Sequence, residues 1–138
     1  MNNALNLLGR LMLVALFLPA GLSKLSAFEG TVGYIDSVGL PLPAVAAALA
    51  VVIEVVGSLA LLLGLQTRIA AAVLAVFTLV ASVFFHAFWA AAPEQAFVQQ
   101  LLFFKNIAVT GGLLILATSG AGAWSLDAKR ASHTEGVE

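Results

Sequence analysis

The sequence predicts an all-α protein, a transmembrane four-helix bundle, and three observations carry that prediction. Of its 138 residues, 62% are hydrophobic and only 9% charged, with a mean hydropathy of +1.07. That lies outside the range of an ordinary soluble domain. The apolar residues fall into runs of about 20, the length that crosses a hydrocarbon core roughly 30 Å thick at about 1.5 Å per helical residue. Prolines, glycines and most of the charges punctuate the gaps between the runs. One domain, residues 1–127, holds all four spans, and the chain has no length left over for a separate soluble domain.

The first span covers residues 5–25, where Pro19 and Gly21 predict a kink or local unwinding. An apolar stretch from Leu11 to Leu18 resembles a signal peptide, but no basic residue precedes Arg10, so the stretch reads as a retained helix. A polar segment, 26–43, carries Glu29, Asp36 and a Gly39-Leu40-Pro41 break; within it 28–38 is suited to a short interfacial helix. The second span, 43–64, opens on a proline and closes on a glycine, both in their preferred places at helix ends.

Gln66, Thr67 and Arg68 form a turn too short for anything but an antiparallel neighbour, so the third span, 69–89, returns beside the second. The fourth covers 98–119, with Trp124 beyond it as an interfacial anchor. Residues 128–138 are polar and small, and read as a disordered tail. Arg10, Arg68, Lys129 and Arg130 fall on one side of the bundle and Glu29, Asp36 and Glu94 on the other. By the positive-inside rule both termini are expected in the cytoplasm.

Composition narrows function mainly by exclusion. The absence of cysteine removes disulfides, thiol redox chemistry and thiolate metal sites. A single intramembrane histidine, His86, does not make a bis-histidine haem site, and no metal site is expected. A net charge of −1 and a pI near 6.1 give no basis for nucleic-acid binding. The partner implied by every span is the lipid bilayer.

The informative residue is Glu54, a carboxylate in the middle of an apolar run. A charge at that depth costs roughly 2.5 kcal/mol or more on insertion, so it faces the bundle interior and is paired. Arg10, Lys24, His86 and Lys105 are its potential partners, and Arg10–Glu54 and Lys105–Glu54 both satisfy the axial geometry. Arg10, Phe17 and Lys24 repeat by heptads on one face of the first span. Thr78, Ser82 and His86 form a stripe on the third, and Glu54, Gly57 and Ser58 a small-residue face on the second. Lys105, Asn106 and Thr110 open the fourth span. Helix spacing thus puts Lys24, His86, Lys105 and Asn106 near one membrane face, Glu54 deeper, and Arg10 toward the opposite edge.

Each of these residues also has a plain structural role open to it. Glu54 in an ion pair would fix helix register, and Arg10 and Lys24 could snorkel to headgroups. His86 could be an interfacial hydrogen-bonding residue. Phe84, Phe85, Phe88, Trp89, Phe103 and Phe104 suit either packing and lipid contact or the walls of a slot for a flat apolar ligand.

GRLMLVALFLPAGLSKL at 9–25, EVVGSLALLLG at 54–64, FFKNIAVTGGLLIL at 103–116 and GAGAWSLDAKR at 120–130 resemble the DoxX family of small four-helix bacterial membrane proteins. The likeness extends over nearly the whole chain and implies a multi-pass protein of the bacterial inner (plasma) membrane. Arg10, Lys24, Glu54, Lys105 and Asn106 match typical polar positions of that family. Family members include a subunit of an archaeal thiosulfate:quinone oxidoreductase and proteins linked to membrane redox complexes. This chain has no extra soluble domain to carry a thiosulfate-binding function, so a redox partner protein and a quinone ligand or cofactor come from the family only by fold-level analogy.

The leading expectation is a redox-associated subunit or binder of a quinone-like molecule, with Lys24, His86 and Lys105 toward its polar head and Glu54 holding or relaying a proton. No complete catalytic constellation is present; if enzymatic, the chain would be an oxidoreductase subunit. A second reading is a non-enzymatic, chaperone-like subunit that stabilises a partner, its polar cluster serving its own bundle. A third is an oligomeric small-anion transporter. Gly57, Gly64, Gly111 and Gly112 suit a homodimer or packing within the monomer.

Overall fold

The computed structural model describes residues 2–135, and its elements are helical. Helix α1 is Asn3–Ser26, α2 is Phe28–Ser37, α3 is Pro43–Leu63 and α4 is Thr67–Phe85. A 3-10 turn at Phe88–Ala90 leads into α5, Pro93–Ser119, and α6 is Leu126–Glu135. Among the described residues, four helices are long and apolar enough to cross a membrane.

Local sequence explains most of the boundaries. Asn2 caps α1 by accepting the Ala4 N–H at 3.0 Å. Pro43 and Pro93 stand in the first turns of α3 and α5, where an N–H has no helical partner to lose. Gly64 ends α3 with φ +65°, and the next N–H, from Leu65, returns to the Ala60 carbonyl at 2.9 Å.

Helix α1 packs on α3, α3 on α4 and α4 on α5, with α2 laid against α3. One apolar core joins all four long helices through Val14 and Phe17, Leu61, Ala71 and Leu74, and Leu113 and Leu116. It fills the half of the bundle nearest the α3–α4 turn. Outward-facing residues such as Met12, Ile69 and Ile115 are each more than 60% exposed in the isolated chain. Lipid as the surrounding solvent accounts for that apolar exterior.

Two close approaches set the spacing. A Cβ at Gly21 would lie 2.8 Å from Val55 Cγ2 and 2.9 Å from Glu54 Cβ, so only glycine lets α1 cross α3 here. A Cβ at Gly57 would meet Leu74 at 3.0 Å, which holds α3 and α4 together near their turn.

Two sequence expectations need correction. Helix α1 runs unbroken through Pro19, whose missing N–H leaves the Ala15 carbonyl without its helical donor but does not unwind the chain. The tail expected to be disordered from Ala128 is helical to Glu135, because Asp127 anchors it to the α3–α4 turn; residues 136–138 lie outside the described residues.

Candidate functional site

The half of the bundle away from the apolar core opens into a cleft of about 860 Å³. It lies between the first half of α3, including Ala46, Ala50 and Ile53, and the second half of α4, including Phe77 and Ala81, with Tyr34 and Ile35 of α2 above. Lys24, Glu54, His86, Lys105 and Asn106 all line it. Five of the six polar positions singled out from the sequence thus share one cavity, and Arg10 does not.

Glu54 is 4% exposed and pairs with Lys24, whose Nζ donates to the two carboxylate oxygens at 3.0 and 2.8 Å. Neither Arg10 nor Lys105 is the partner. The Gly21 crossing is the reason, since it brings the last turn of α1 against α3 at the level of Glu54.

Arg10 is committed elsewhere. It is 1% exposed, with Nη1 donating to the Leu61 carbonyl at 3.1 Å and Nη2 to the Trp124 carbonyl at 2.6 Å. A guanidinium there meets the last-turn carbonyls and negative dipole end of α3, where the Leu61 carbonyl otherwise receives only the Gly64 N–H at 3.3 Å. It is a structural clamp between α1, α3 and the segment before α6.

The hydroxyl stripe on α4 is also structural. Thr78 donates to the Leu74 carbonyl and Ser82 to the Thr78 carbonyl, as Ser58 does to Glu54 and Thr110 to Asn106. These side chains satisfy themselves on their own helices. His86 closes α4, and its Nδ1 lies 2.9 Å from Gln99 Oε1, so the ring is positioned by α5 rather than by Glu54.

The aromatic run divides. Phe88 packs against Trp89, Phe103 and Phe104, whereas Phe84 and Phe85 line the cleft, with Phe85 5.2 Å from the Tyr34 ring. Tyr34 and Ile35 were missed from sequence, because nothing local marks an exposed-looking decapeptide as a cleft wall. Gln99 was missed because its contact with His86 joins two different helices, which no local pattern marks.

At the other end of the bundle Asp127 performs the capping that Gln66 does not. Its carboxylate accepts the Gln66 and Thr67 N–H groups at 2.7 and 2.9 Å, and its own N–H donates to the Gly64 carbonyl at 2.9 Å. Burial pulls this carboxyl upward, but the Thr67 and Gln66 N–H donors and the Arg130 charge outweigh it, and its pKa lies below the ordinary value. The charged form is therefore favoured by folding. Its contribution is complete above the unfolded carboxylate pKa, about 3.9, and is lost as pH falls through the lower folded value. Thermal melts of the detergent-solubilised protein should show this acid-side loss, and Asp127→Asn should remove it while lowering stability at neutral pH. An unchanged acid limb in that variant would disprove the role.

The fold and cleft define a class: a small multi-pass membrane protein with a partly buried ion pair beside a cleft between its spans. The chain belongs to the DoxX family, whose model matches residues 5–87. It is 37% identical over 121 residues to the inner membrane protein YphA of Escherichia coli strain K12, covering 88% of this chain and 86% of that protein. It is likewise 37% identical over 124 residues to the inner membrane protein YqjF of the same organism, covering 88% of each. This is an inner-membrane protein, by its family and by those relatives. No solved structure matches it significantly.

Proposed function

We propose that the cleft binds an amphipathic small molecule with a quinone-like head, and that the chain serves as the membrane subunit of a redox assembly. The observation that carries this reading is the cavity itself: about 860 Å³, apolar walled, with a few polar groups among its lining. Small-molecule sites fall in that size range and have that composition. A flat ring fits between Phe84, Phe85 and the α3 alanines, while Asn106 and His86 supply hydrogen bonds to a carbonyl.

The test is direct. Protein purified in mild detergent should carry an extractable quinone by mass and ultraviolet spectra, or bind an added long-chain naphthoquinone. Ala81→Phe, which narrows the cleft beside the α3 alanines, should weaken that binding by tenfold or more, about 1.4 kcal/mol. Equal affinity in the narrowed variant would remove the cleft as the site.

The structural-subunit reading has one observation in its favour, the mutual satisfaction of Lys24 and Glu54. Under it the same purification yields a partner protein and no small molecule.

A further inference from the structure

The charges facing the cleft do not balance, and the imbalance has a sign. Glu54 and Lys24 cancel, because both carboxylate oxygens accept from the one ammonium. His86 is engaged with Gln99, and Tyr34 stacks on Phe85. Glu29 and Asp36, on the helix that covers the cleft, are exposed and do not line it, nor does Glu94 at the start of α5. Lys105 does line it and has no ion pair or side-chain hydrogen bond among the described residues. The neighbouring Asn106 amide is also unused by the protein.

We infer that the ligand's head is a single delocalised oxyanion, a carboxylate or an ionised hydroxyquinone, seated on Lys105 with Asn106 donating beside it. This deepens the quinone-like reading and rests on it. Lys105 is itself exposed, so its gain over water comes from the apolar wall on its cleft side, where a counter-charge is screened less. A neutral head would gain only a hydrogen bond there, whereas an anion gains a charge-assisted one.

A matched pair of probes tests this. One is a naphthoquinone with a long alkyl chain and an acidic ring hydroxyl, ionised at neutral pH; the other carries methyl in place of that hydroxyl and stays neutral. Binding is measured in nanodiscs of phosphatidylcholine. The ionised probe is expected to bind at least about tenfold more tightly in wild type, a preference that falls to near one in Lys105→Met and is kept in Lys105→Arg. Equal binding of the two probes overturns the inference and leaves the quinone-like reading standing. Binding of neither overturns both. A preference that survives Lys105→Met, or one abolished when a third of the lipid is phosphatidylglycerol, also overturns it, the last by showing that Lys105 is occupied by a lipid headgroup.

Discussion

Arg10→Met is expected to lower the melting temperature in detergent by an amount equivalent to roughly 2–3 kcal/mol. The guanidinium is enclosed, so the truncation admits no water to replace it. The Trp124 carbonyl would lose the hydrogen bond it receives at 2.6 Å, and the Leu61 carbonyl would keep only the long contact from Gly64 N–H at 3.3 Å. The Leu61 bond is buried and the Trp124 bond half-buried, and a fully buried carbonyl left short of a donor costs about 1–3 kcal/mol. Arg10→Lys should recover little, because one ammonium on a shorter, unforked stem cannot span two carbonyls on different elements. A loss of less than about two degrees in Arg10→Met would show that the clamp does not contribute as the geometry implies.

The effect should spread along one chain of contacts. Arg10 reaches Trp124, and Asn6 of α1 donates to the Gly120 carbonyl at 2.9 Å, so α1 fastens the segment between α5 and α6. That segment delivers Asp127 to the α4 N-terminus. Loosening Arg10 should therefore also weaken the acid-sensitive cap, and Arg10→Met should show a smaller acid-side change than wild type.

The four spans were legible because each needed only a local count of apolar residues and a turn signal at its end. The α3–α4 pairing was legible too, since a connection at Gln66 leaves no other neighbour. The pairing of α1 with α3 was not. Arg10 and Lys24 share a heptad face, but they lie about 21 Å apart along the helix, and nothing in the spacing says which one is level with Glu54. The signal that decides it is Gly21, one turn before Lys24; its meaning depends on Val55 and Glu54 lying against it. Likewise, Asp127 looks like an ordinary acid in the first turn of a short helix, and its cap on α4 is supplied from 60 residues away. Contacts made in trans leave no periodicity to read.

The Lys24–Glu54 pair should behave asymmetrically under substitution. Lys24→Met leaves a carboxylate that is 4% exposed without its donor, and a buried charge so stranded costs about 3–5 kcal/mol. The Lys24 side chain is 33% exposed, so part of the pairing is already screened and the lower end of that range applies. Glu54→Gln should cost less. The freed ammonium sits in the last turn of α1 and can snorkel outward along its own stem, while glutamine keeps one acceptor in place. Replacing both, Lys24→Met with Glu54→Leu, should restore most of the loss, since a packed apolar pair avoids the desolvation of two charges. Melting temperatures of wild type, Lys24→Met, Glu54→Leu and the double variant close a double-mutant cycle whose coupling term isolates the pair. Additive losses would mean that Lys24 and Glu54 act independently despite the 2.8 Å contact. If instead the double variant is stable but no longer binds a quinone-like probe, the pair is kept in this chain for the cleft's chemistry. If it is stable and binds as before, the pair serves only to hold α1 in register on α3.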